Sequence, residues 1–236
     1  MKRPRCALMI YFFTVLLVFL VVGRANAIPP ELPPNVMDEA SWPSSLRSAY
    51  KEYREAIDDY AREDWSAMAP KSASKLQNVI DDAISEFGDT NPSVGLLEME
   101  MLYFLLNSDP KDTDSIVEHS WRAVKALRTQ DGKLTAELNI VLPNIAFTLI
   151  RHGRLFEGEA FLREIVQNGA PYFLANDIRF LLSGMPKQDE LEWTLKSTDA
   201  TQKYKLDLLV LKSAATILES DQLLKYVTDR MAKFEQ

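Results

Sequence analysis

The sequence predicts an all-α protein, an α-solenoid or irregular bundle of stacked antiparallel helical hairpins, and three observations predict it. Apolar residues recur at three- and four-residue steps in nearly every segment after residue 44, the period of a helix with one buried face. No segment alternates apolar and polar residues as a half-buried strand does. Short clusters rich in Gly, Pro, Asp and Asn separate the periodic stretches, as expected of helices joined by tight connections.

The first 27 residues stand apart. Lys2, Arg3 and Arg5 precede an apolar run over residues 7–22, which is followed by Gly23 and by Ala25-Asn26-Ala27, the small-x-small pattern of a signal-peptidase site. The expectation is a signal peptide over 1–27 cut after Ala27, giving a periplasmic or secreted protein with no stable membrane insertion. The alternative is an uncleaved inner-membrane signal anchor with Arg24 at its outer edge. Residues 28–43 carry Pro29, Pro30, Pro33, Pro34 and Pro43 and read as an extended linker. Residues 44–236 are then a single all-helical domain, for which a chain of 236 residues that is 47% hydrophobic has enough apolar material.

Charge narrows the partners. Removing the leader takes four of the 27 basic residues and none of the 34 acidic ones, leaving 23 against 34 and a formal charge of −11. That argues against nucleic acid or an anionic membrane surface, both of which need clustered Lys and Arg, and favours a neutral or basic protein or peptide. The only cysteine, Cys6, lies ahead of the apolar run, so the exported chain has no disulfide and depends on its core.

Along the chain, Ser44 and Ser45 open a helix whose stripe is Leu46, Tyr50, Tyr53, Ile57 and Tyr60, and a second stripe follows Trp65 and ends at Gly88. Residues 94–106, apolar on nearly every side apart from Glu98 and Glu100, read as the central helix. Asp112 or Thr113 caps the next helix, with Val117, Trp121, Val124 and Leu127 on one face, and Gln130-Asp131-Gly132 turns the chain. A helix over 135–152 must accommodate Pro143, and its expected response is a kink. Further helices are expected near 172–183, 187–196, 201–218 and 220–234.

Within this pattern, residues 142–171 form the clearest hairpin. Leu142, Ile145, Ala146 and Leu149 lie on one helix, Gly153 breaks the period, and Leu155, Gly158, Leu162 and Ile165 resume it. In order, Leu142, Ile145, Ala146, Leu149, Gly158, Leu162 and Pro171 resemble the tetratricopeptide repeat, with Pro171 one place late. The resemblance implies that the two helices approach most closely at Gly158. It also implies a concave surface, lined by the first helix of each pair, that holds a peptide or partner helix. On this register Gly158→Leu overpacks the contact, whereas Gly158→Ala is tolerated or mildly stabilising.

Catalytic groups are sparse, and no catalytic residue, metal ligand set or cofactor site is assigned. His119 lies beside an apolar stripe and His152 at a helix end before Gly153, both positions that suit structural roles. Ser72-Ala73-Ser74-Lys75 matches the S-x-x-K of penicillin-binding proteins, but the companion S-D-N and K-T-G elements are absent. Asp58-Asp59 and Asp81-Asp82 point about 100° apart on a helix and do not converge. Asp109, Asp112 and Asp114 lack the order of a calcium loop. Glu98 and Glu100 are the two carboxylates worth testing, because a general acid of a glycan hydrolase sits in such apolar surroundings.

The candidate binding residues are Tyr50, Tyr53, Tyr60, Trp65 and Trp121, of the type enriched in interface hot spots and equally suited to core packing. The expected function is therefore an exported non-enzymatic helical-repeat protein that mediates protein–protein interaction in the cell envelope as adaptor, chaperone or inhibitor. The alternative is an envelope glycan hydrolase with a Glu general acid.

Overall fold

The computed structural model describes residues 40, 42–60, 65–108, 110–187, 190 and 197–234, and among these the chain forms nine α-helices and no strand. They are α1 Ser44–Tyr60, α2 Trp65–Phe87, α3 Pro92–Ser108, α4 Thr113–Ala126, α5 Ala136–Arg151, α6 Leu155–Asn168, α7 Pro171–Ser183, α8 Thr198–Ile217 and α9 Asp221–Met231. The all-α class and the packing of successive helices follow the sequence reading. The leader, most of the proline-rich segment and most of the helix expected at 187–196 lie outside the described residues. No described helix is long and apolar enough to cross a membrane.

The helices fall into two compact units that divide between Val79 and Ile80, within α2. In the first, Trp42, Leu46, Tyr50, Tyr53, Leu76 and Val79 are buried. The Trp42 ring meets Tyr50 edge-on with centroids 5.5 Å apart, and Tyr50 lies 6.0 Å from Tyr53, the geometries that ring quadrupoles favour.

In the second unit α3 and α4, α5 and α6, and α8 and α9 pair as consecutive hairpins. Helix α3 is enclosed as its sequence suggests, with Val94, Leu96, Leu97, Met101, Leu102 and Phe104 all buried. Among the described pairings of the second unit, α3 packs on α4, and α5 packs against α4, α6, α7 and α8.

Local chemistry fixes the helix ends. Asp112 caps α4 by accepting from the Ser115 amide at 3.2 Å, Ser197 caps α8, and Pro171 opens α7 at a position where its missing N–H costs nothing. The turn after α4 is closed by the Thr129 amide donating to the Lys133 carbonyl at 2.9 Å. Pro143 lies inside α5 and is buried, and the helix continues through it from Ala136 to Arg151. Asn139, whose own carbonyl Pro143 leaves without an amide partner, is the polar pin of this region. Its side-chain amide donates to the Leu134 and Thr135 carbonyls at 3.2 and 2.8 Å, and its oxygen accepts from the Ala170 amide at 2.6 Å. One buried side chain thus joins the start of α5 to the end of α6.

Candidate functional site at the seam of two hairpins

The turn from α5 to α6 is built by His152-Gly153-Arg154. Gly153 has φ +84°, a left-handed conformation that glycine adopts without a β-carbon penalty. Its amide donates to the Ile150 carbonyl at 3.1 Å and the Arg154 amide to the Leu149 carbonyl at 2.9 Å, which is the Schellman closure of a helix C-terminus. The Arg154 side chain then locks the turn. Its Nε and Nη2 donate to Glu157 at 2.9 and 2.6 Å, and its Nη1 reaches Asp114 on the first turn of α4. These hydrogen bonds, with the charge of Arg154 behind them, hold the Glu157 carboxyl below its ordinary range.

Seven residues further along both helices, Trp121 of α4 stacks on Phe161 of α6 with centroids 4.4 Å apart. The Asp114–Arg154 and Trp121–Phe161 pairs share a separation of forty residues, so α4 and α6, the second helices of consecutive hairpins, run parallel and in register.

Apolar groups are exposed at this seam and on the first turn of α6 beside it. Immediately after the pinned Arg154 come Leu155, 40% exposed, and Phe156, 83% exposed, the most open large apolar side chain described; Trp121 is 39% exposed. A helix gains nothing for its own stability from an exposed Phe in its first turn. The turn beneath it is nevertheless fixed by the two backbone hydrogen bonds of the Schellman closure and a guanidinium with two carboxylate partners. An aromatic presented on a rigid support loses little freedom when a partner covers it, which is the character of an interface anchor.

The other residues singled out from sequence are placed as follows. Tyr50 and Tyr53 are core residues of the first unit, 5% and 0% exposed, so in this conformation they offer no surface to a partner. Tyr60 and Trp65 belong to α1 and α2, and their side chains lie outside the described atoms. Only Trp121 among the five is brought to described surface. Leu142, Ile145, Ala146, Leu149, Gly158 and Leu162 are all buried in α5 and α6, which face each other. Nothing in the sequence marks Leu155 and Phe156 as surface groups, because an apolar pair after a Gly-Arg turn reads as the resumption of a core stripe.

Glu98 and Glu100, 0% and 1% exposed, are enclosed rather than presented. Glu98 is paired with Nδ1 of His119 on α4, and its second oxygen, which has no hydrogen bond, lies 3.7 Å from Nη1 of Arg122 one turn further on. Glu98 is thus enclosed and tied to a residue of its own hairpin. No cluster of three or more His, Cys, Asp or Glu side chains able to hold a metal ion occurs among the described residues.

Comparison with known proteins gives no relative: no family model, no curated protein and no solved structure matches this chain.

Proposed function

We propose that this protein is an exported, non-enzymatic helical protein that binds a protein partner, with the exposed first turn of α6 as its contact surface. The observation that carries the reading is Phe156, open to solvent beside Leu155 on a turn that Arg154 holds rigid. Covering such a side chain is worth roughly 1.5–3 kcal/mol, enough for one anchor of an interface and useless to the fold as it stands. The acid balance of the chain favours a neutral or basic partner. The signal-peptide pattern supports an encounter in the cell envelope or outside the cell. The tetratricopeptide resemblance of residues 142–171 agrees with a role in recognition, since helical repeats of that kind hold peptides and helices.

The test uses residues 28–236 as bait on envelope extract, with captured proteins identified by mass spectrometry, beside a bait carrying Leu155→Ser and Phe156→Ser. The expected outcome is a partner retained by the native bait and lost by the variant, with identical thermal unfolding of the two. The same set of proteins on both baits would move the interface away from this turn.

A further inference from the structure

Helix α9 is held mainly by α8 and buries only Val227. Its side toward α7 is left facing a space. A cavity of about 430 Å³ lies there, and the described residues that line it are Ile178 and Leu182 of α7 with Ser220, Gln222, Leu223 and Tyr226 at the start of α9. This volume falls within the range of small-molecule sites, and the lining has their usual make-up, mostly apolar with a few polar groups at one side.

We infer that this space between α7 and α9 binds a small, uncharged, mainly apolar molecule with one hydrogen-bonding end. The site does not depend on the first turn of α6, and its test is separate from that of the partner-binding reading.

Charge decides the class of ligand. No described lining residue is ionic, so a carboxylate or ammonium drawn inside would be desolvated without a counter-charge, a heavier cost than hydrogen bonding to neutral groups recovers. The charges around the rim balance, with Asp177, Glu219 and Asp221 against Arg179, Lys225 and Arg230, and Arg230 is engaged by the Pro186 carbonyl, the Tyr204 hydroxyl and the Tyr226 ring. A neutral alcohol, amide or ester meets no such cost. Its polar end has Ser220 and Gln222 available as neutral donors and acceptors, and its apolar body has Ile178, Leu182 and Leu223.

The walls are in place before any ligand arrives. Ser220 is fixed by its amide donating to the Ala215 carbonyl at 2.9 Å, and its hydroxyl accepts from the Leu223 amide at 3.4 Å while keeping its own hydrogen free to donate outward. The Tyr226 ring lies under the Arg230 guanidinium, 4.9 Å from its centroid. Arg230 is itself tied to the Pro186 carbonyl at 2.7 Å and the Tyr204 hydroxyl at 3.0 Å. A cavity with fixed sides loses little on binding, which favours a bound small molecule over collapse.

The experiment titrates the full chain with Nile red, a neutral apolar dye whose fluorescence rises in apolar surroundings, and displaces it with decanol or with decanoate at neutral pH. Saturable binding displaced by decanol at concentrations about tenfold lower than decanoate is expected. Leu182→Trp, which fills the cavity, should weaken dye binding about tenfold or more with the helical circular dichroism retained. Gln222→Lys, at an exposed rim position that leaves the fold alone, should bring decanoate to within about twofold of decanol by supplying the missing counter-charge. Absence of saturable dye binding overturns the site, as does unchanged binding by folded Leu182→Trp. Should that variant fail to fold, the Gln222→Lys swap decides: no gain for decanoate overturns the inference. Equal displacement of the native protein by decanol and decanoate overturns the ligand class.

Discussion

Gly158 of α6 faces the backbone carbonyl of Ala146 on α5 so closely that a β-carbon on the glycine would lie 2.8 Å from that oxygen and 2.6 Å from Cγ1 of Ile150. The close approach expected at Gly158 is therefore present, and it is tighter than the sequence reading allowed. An Ile side chain can turn away, but a carbonyl inside a helix cannot. Gly158→Ala, expected from sequence to be tolerated, should instead lower stability by about 1–3 kcal/mol despite alanine's better helix propensity, and Gly158→Leu by more. Urea denaturation reads both. An unchanged midpoint for Gly158→Ala would mean that α5 and α6 separate at little cost.

Helix positions and the hairpin register were legible because they depend on period and punctuation, which a sequence carries openly: Gly153 ends α5, and Leu142, Ile145, Ala146 and Leu149 mark its buried face. What stayed hidden depends on pairing between helices. Nothing in the spacing of Glu98 and His119, twenty-one residues apart, says that they meet, and a carboxylate on an apolar helix reads equally as acid, surface mark or buried partner. The exposed pair Leu155–Phe156 was hidden for the opposite reason, since periodicity identifies apolar residues but not whether a neighbour covers them. Tyr50 and Tyr53 show the same ambiguity resolved toward the core.

The Glu98–His119 pair sets a double test. Both groups are buried, with side chains 0% and 8% exposed, and Arg122 adds only a distant third member at 3.7 Å. Removing one member strands the other, so His119→Ala should cost about 3–5 kcal/mol. Replacing both with leucine removes the desolvation penalty together with the attraction, and the double variant should recover most of that loss or exceed the native stability. Equilibrium unfolding of the single and double variants gives the comparison. A double variant as unstable as His119→Ala would show that the pair's packing, not its charge, holds α3 to α4.

Asp177 on α7 is half-buried, and burial pushes its carboxyl from 3.8 up to about 6. The folded state therefore keeps this proton at pH values where the unfolded chain has lost it. The sign follows: stability is undiminished below about pH 4, falls as the pH rises toward 6, and carries the full penalty above that. Because the side chain is partly solvated, the penalty at neutral pH is on the order of 1 kcal/mol rather than the full value of the shift. Asp177→Asn should raise the thermal midpoint at pH near 7 and leave it unchanged below about pH 4. An equal gain at both pH values would assign the effect to packing.

The turn between α8 and α9 repeats the geometry of the turn after α5 with a different residue at its tightest point. Glu219 has φ +52°, and it is the only described non-glycine residue in the left-handed region. Its amide donates to the Thr216 carbonyl at 3.3 Å and the Ser220 amide to the Ala215 carbonyl at 2.9 Å, the same two bonds that Gly153 and Arg154 make. A left-handed residue with a β-carbon costs roughly 1–2 kcal/mol, while glycine loses about 0.5–1 kcal/mol through its greater freedom in the unfolded chain. The difference favours glycine, so Glu219→Gly should stabilise by about 0.5–1 kcal/mol, and Gly153→Ala should destabilise by a similar amount. No atom lies within 4 Å of where a β-carbon on Gly153 would sit, so that loss comes from the backbone alone. Thermal unfolding of the two variants provides the paired measurement. Opposite shifts establish that both turns are governed by backbone conformation, whereas a lower midpoint for Glu219→Gly would mean that the Glu219 side chain makes a contact worth more than the strain it carries.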